Sequence, residues 1–301
     1  MNRNNSNKVQ RPAARQLVRH GKAAMTATVL LAGPVAVGPV GVSFAAPTPA
    51  DAPVTPNVAP AAVAPLDIAL LRRALAVFRA PALQIESEFV LEVKGPGLTL
   101  QQREQIALVT KRANKKFRST VRMTSAGGAR YVIVSNGKQV LTHRPGRSQY
   151  AVAPRAAWDK TDDNLPALGL FASAYQDGFL TDFANALNDP RSSDGKALLE
   201  NLQKSGGKLT GVMEGDQYVV SMTFPSSGPG AKSDTLRLFL DPASASVKQL
   251  QIRSQDRNQE VTITETVSRL STTPTGLNAA TFAITPPAGA QKVKSLSIEP
   301  L

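Results

Sequence analysis

Residues 131–142 read YVIVSNGKQVLT. YVIV (131–134) and KQVLT (138–142) are rich in β-branched side chains and flank Ser135-Asn136-Gly137. Asn-Gly between two such runs supplies the left-handed backbone of a tight turn, so the stretch predicts an antiparallel hairpin. Immediately upstream, FRSTVRMT (117–124) alternates with period two. Phe117, Val121 and Met123 fall on one face, and Arg118, Thr120 and Arg122 on the other. FVLEV (89–93) alternates in the same way, and Arg144-Pro145-Gly146-Arg147 marks a further turn before SQYAVA.

Between about 155 and 204 the period changes. LPALGLFASAY, FLTDFANAL and GKALLENLQKS carry apolar residues at three-to-four spacing, punctuated by Asp177-Gly178 and Asn188-Asp189-Pro190. These read as helices. Period two then returns in GKLTGVMEG, DQYVVSMTF, DTLRLFLD, VKQLQIRSQD and QEVTITETVSRL, separated by short turns. A helix opens the series at 66–80, where Leu66, Leu70, Leu71, Ala74, Leu75 and Phe78 share one face and Pro81 ends the run. The expected fold is mainly β with added helices (α+β). One large curved antiparallel sheet, a half-open barrel of about 10–11 strands, carries helices over its concave face.

The N-terminus reads as an address rather than a domain. Arg3, Lys8, Arg11, Arg15, Arg19 and Lys22 precede the apolar run AAMTATVLLAGPVAVGPVGVSFAAP, with Ser43 and Ala45 as small residues at a cleavage site. This pattern predicts a signal peptide over 1–45. A retained membrane anchor is the alternative, because the run approaches bilayer-spanning length. Residues 46–65, rich in Pro and Ala, read as an extended linker, and 66–301 as a single domain. The expected location is periplasmic or secreted.

The formal net charge of +13 suggests a polyanion partner until the leader is set aside. Taking its six cations from 35 leaves 29 basic against 22 acidic residues, a net charge of +7. Nucleic acid is therefore not expected as a partner. The absence of cysteine excludes disulfides, thiolate metal sites and cysteine nucleophiles.

Motifs for catalysis are scarce. His143 is the one histidine of the mature chain and has no acidic neighbours in sequence. Asp159, Asp162, Asp163, Asp177 and Asp182 lack the glycine and terminal glutamate of a calcium loop. No nucleophile elbow, zinc-protease or phosphate-loop pattern occurs. No enzyme activity, metal or cofactor is expected. Trp158 and Tyr150 could line a pocket, and ordinary core or rim placement fits them at least as well.

The most basic stretch, KRANKKFR (111–118), fits a nucleic-acid grip, a pocket rim or a solvated strand face. The order of elements around it narrows the choice. VTKRANKKFR leads into FRSTVRMTS, then YVIVSNGKQVLTHRP and SQYAVA, and NAATFAITPPAGAQKV stands near the end. Over 66–293 this order resembles the periplasmic lipoprotein-carrier superfamily, the Lol carrier fold. More narrowly it resembles a family of uncharacterised periplasmic proteins with that fold. The matching stretches are Lys111-Arg112-Ala113-Asn114, Ser135-Asn136-Gly137-Lys138 and 282–290, FAITPPAGA. Ala113 stands where the carrier motif has proline.

The resemblance implies a hydrophobic cavity between sheet and helical lid, with Arg112 hydrogen-bonding the lid and helping to set its open–closed balance. A solvated strand arginine is the other reading of Arg112. The expected lining is Phe117, Val121 and Met123 from the sheet, and Leu170, Phe171 and Phe179 from the helices. The function this implies is an exported, monomeric binding protein that carries or senses a lipid, an acylated ligand or another apolar ligand. Its cationic rim would suit phosphate head groups or an anionic membrane surface. An envelope module that binds a protein partner is the alternative.

Overall fold

The computed structural model describes residues 66–124, 128–161, 163–189, 206–224, 233–255 and 259–298, with isolated positions between 191 and 204. The signal peptide and linker expected over 1–65, Asp162, most of GKALLENLQKS and the turn at 256–258 lie outside them.

Among the described residues twelve strands form one sheet. They are β1 (Ala82–Gly95), β2 (Leu98–Lys111), β3 (Lys116–Met123), β4 (Arg130–Ser135), β5 (Gln139–Arg144), β6 (Gln149–Pro154), β7 (Lys208–Glu214), β8 (Gln217–Phe224), β9 (Ser233–Leu240), β10 (Val247–Gln255), β11 (Glu260–Ser271) and β12 (Gln291–Lys292). The order is β12-β6-β5-β4-β3-β2-β1-β11-β10-β9-β8-β7, so the sheet stays open with β12 and β7 at its edges. All neighbours are antiparallel except β12, which runs parallel to β6. The count exceeds the expected 10–11 because β12, just two residues long, is too short to show periodicity. Gln291 and Val293 donate to the carbonyls of Ser148 and Tyr150. The segment after the FAITPP motif thereby covers the β6 edge, which would otherwise present unpaired backbone groups.

The hairpin expected over 131–142 is β4–β5, with Val134 opposite Leu141. Asn136 Oδ1 accepts from the amides of Lys138 and Gln139, and Gly137 has φ +91°. The turn after β2 packs against it so closely that a Cβ at Gly137 would collide with the Asn114 carbonyl oxygen.

Among the described residues four helices pack on one face: α1 (Ile68–Leu75), α2 (Arg155–Trp158), α3 (Asn164–Asp177) and α4 (Phe179–Asn188). A 3₁₀ turn, Ala76–Arg79, extends α1 and ends ahead of Pro81. Asp67 caps α1 by accepting the Leu70 amide at 2.8 Å. Removing that cap in Asp67→Ala should cost about 1 kcal/mol, read as a lower urea midpoint with unchanged slope.

The inner sheet face meets these helices. Strand alternation delivers Leu83, Ile85 and Phe89 from β1, Ile106 and Leu108 from β2, and Leu250 from β10 to it. Phe78 stacks on Phe171 at 4.7 Å between ring centres, and Phe117 packs against Trp158 at 5.5 Å. Burying each such side chain contributes about 2–3 kcal/mol.

Candidate functional site

The basic stretch splits by position. Lys111 ends β2 and Arg112 follows it in the turn, both half-buried; Ala113–Lys115 form a 3₁₀ turn, and Lys116 and Arg118 lie in β3. Arg112 turns toward the helices. Its guanidinium donates to the carbonyl of Phe78, at the end of α1, and lies 4.6 Å from the ring centre of Tyr175 on α3. Thr181 on α4 donates to the same Phe78 carbonyl at 2.7 Å, and Tyr175 donates to the Ala80 carbonyl at 2.8 Å. The segment between α1 and β1 is thus clasped from three sides. Burial raises the Tyr175 hydroxyl above its usual range, and Arg112 opposes the rise.

A second polar network lies at the same end of the sheet. Arg155 of α2 donates to the Lys115 carbonyl at 2.9 Å, Ser135 Oγ at 3.2 Å, Gln176 Oε1 at 3.1 Å and Asp159 at 2.6 Å. Gln176 continues the chain to Thr110 Oγ1 at 3.0 Å. The Arg155 guanidinium also lies over Phe117 and Trp158, at 5.2 and 5.3 Å. Burying a cation in this way is tolerable because every part of its fork has a partner.

Earlier in α3 the helix itself is broken. Gly169 has φ 71° and ψ 177° within α3. The break frees backbone amides of the following turn, and Glu265 of β11 accepts them: Phe171 N–H meets Oε2 at 2.6 Å. Ser87 donates to Oε1 at 2.6 Å, from a β-bulge between Glu86 and Ser87. A Cβ on Gly169 would stand 2.6 Å from Oε1. A helix start with an aligned anion is favourable, yet this carboxylate is fully buried. Burial pushes it up to about 7, against the lowering by Ser87 and the amides of Phe171 and Leu170.

Glu104 lies in the same cross-strand row: Glu265 opposes Phe89, and Phe89 opposes Glu104. The two residues are therefore two strand spacings, about 10 Å, apart on the inner face. Burial pushes Glu104 to about 7 as well, with Gln102 pulling the other way. Its Oε2 meets no hydrogen-bond partner among the described residues.

Of the expected lining, Phe117, Val121, Met123, Leu170 and Phe171 all come together between sheet and helices, each at most 1% exposed. In this state they pack into the core with their neighbours. Phe179 begins α4, and its side chain lies outside the described residues. His143 is half-buried on β5 opposite Val132 and Tyr150, and burial lowers its pKa. Asp159 pairs with Arg155, and Asp163 accepts the Ile298 amide. Trp158 belongs to the core, while Tyr150 is half-buried. Among the described residues no group of three His, Cys, Asp or Glu could hold a metal, and no helix is long and apolar enough to cross a membrane.

Several solved structures are similar to the chain at low identity. A LolA superfamily protein from Nitrosomonas europaea shares 11% identity, covering 71% of this chain and 96% of its own, with a TM-score of 0.29. The lipoprotein LppX of Mycobacterium tuberculosis shares 11%, covering 71% and 100%, with a TM-score of 0.31. An uncharacterised conserved protein from Thermus thermophilus shares 12%, covering 75% and 98%, with a TM-score of 0.36. No protein-family model and no curated protein matches the chain. No role and no ligand follows from these likenesses.

Proposed function

We propose that this is an exported, non-enzymatic binding protein that takes a lipid or other apolar ligand between the inner sheet face and its helices. One observation carries the reading: an apolar sheet face lies under a helical cover that a small number of polar contacts hold in place, with Glu265 gripping α3 in mid-sheet and Tyr218 of β8 gripping the start of α1. Arg112, Tyr175, Arg155 and Gln176 all act where β2 ends and β3 begins. Loosening these few contacts would lift the cover and present Phe117, Val121, Met123, Leu170 and Phe171 to a ligand. Each CH₂ of an acyl chain buried there would gain about 0.8 kcal/mol.

Native mass spectrometry on protein purified without detergent tests this. A co-purified acyl-bearing mass, or uptake of an offered fatty acid, is the expected result. A ligand-free mass, unchanged by offered fatty acids and phospholipids, would sink the carrier reading in favour of an envelope module that binds a protein. Arg112→Leu removes a charged tether and should raise the open population roughly tenfold. Faster uptake of a fluorescent fatty acid by stopped flow would register it.

A further inference from the structure

The face of the sheet opposite the helices carries a groove of about 680 Å³. Its walls include Glu86 and Glu88 from β1 and Arg122 and Arg130 from β3 and β4, with Gln105 and Thr120 between. The two walls differ in how their charges are spent. Glu86 pairs with Arg269 at 3.3 Å and Glu88 with Arg103 at 3.1 Å. Elsewhere on the sheet Arg237 pairs with Glu214, and Arg253 with Glu260. Arg122 and Arg130 have no acidic partner among the described residues, and they stand directly opposite each other in the β3–β4 register. Like charges in directly opposed positions destabilise a strand pair. An anion between the two forks would remove that cost and receive charge-assisted hydrogen bonds from both.

We propose that this groove is a second binding site, for a phosphate ester of a polyol, with Arg122 and Arg130 holding the phosphate. Two guanidinium charges match the dianion of a free phosphate monoester; the diester monoanion of a lipid head group balances one of them, as a carboxylate would, but brings polyol hydroxyls with it. Gln105, Thr120 and, further along, Thr266 and Ser268 offer hydroxyl and amide groups suited to the polyol rather than to an acyl chain. The site is separate from the helix side of the sheet and does not depend on what binds there. A polyol phosphate reaches a protein either free in solution or as the head group of an anionic phospholipid, and the chemistry of the groove is shared by both.

The test is an amide-resolved NMR titration of the full mature chain with glycerol 3-phosphate, followed by co-sedimentation with phosphatidylcholine vesicles with and without phosphatidylglycerol. Glycerol 3-phosphate should shift β1–β4 amides, and R122Q combined with R130Q should weaken it at least about tenfold. Arg118→Gln, on the same strand face but outside the groove lining, should change it less than about twofold. All three side chains are exposed, and an unchanged urea midpoint verifies folding. Response to glycerol 3-phosphate without vesicle binding assigns a free polyol phosphate, and response to both assigns the lipid head group. No response to glycerol 3-phosphate, or equal losses in R118Q and the groove variants, overturns the proposal, since the arginines would then be a diffuse basic patch.

Discussion

Gly169→Ala is expected to destabilise the protein by about 3–5 kcal/mol, combining backbone strain with a buried clash. At φ 71° and ψ 177° the residue occupies a backbone region that is essentially reserved for glycine. An added Cβ would also meet the Glu265 carboxylate at 2.6–2.8 Å, with no solvent side to move toward. The two costs separate in a double-mutant cycle. Adding Glu265→Ala relieves the clash and leaves the strain, so Gly169→Ala and Glu265→Ala should couple by about 1–3 kcal/mol. Urea unfolding of the four proteins gives the values. A loss below about 1 kcal/mol in the single variant would mean that the helix break can shift, and that Glu265 does not fix it.

The second large effect is on pH. Glu265 and Glu104 are each raised from 4.5 to about 7 by burial. A carboxyl with a raised folded pKa binds its proton more tightly in the folded chain, so its contribution to stability is complete below the unfolded value of 4.5. It is lost as pH rises through about 7. The size is on the order of 3 kcal/mol for each group, and stability should therefore fall markedly between about pH 4.5 and pH 7. Glu104→Gln should flatten this fall by about half, because a glutamine keeps the contact with Gln102 without a titrating proton. Glu265→Gln should flatten it too, but at a cost in absolute stability. Its amide offers one acceptor oxygen where Ser87 and the α3 backbone supply several donors. Urea midpoints at a series of pH values across that window decide the matter. A flat wild-type profile, or an unchanged slope in Glu104→Gln, would remove both carboxyls from the account.

These two acids were legible as anomalies. In VTITETV, Val261 and Ile263 set the inward parity, and Glu265 continues it. In β2, Glu104 shares parity with Ile106 and Leu108. A glutamate at an apolar-phase position needs a partner, and a glycine within the helical pattern LPALGLFASAY needs a reason. What the sequence lacked was the link between them, for Glu265 and Phe171 are 94 residues apart. Arg155, Gln176 and Thr110 left no comparable mark, since each is an ordinary residue for its helix or strand. Their role exists only where the three elements converge.

The strands, their inward faces, the opening hairpin and the helical middle were determined by the sequence, because periodicity and turn chemistry act within a few residues. The pairing of β1 with β11, the parallel β12, the broken helix and the inward turn of Arg112 were decided by the tertiary structure alone. Each of these depends on groups distant in the chain that must satisfy one another's hydrogen bonds once water is excluded, and no local pattern encodes which partner that will be.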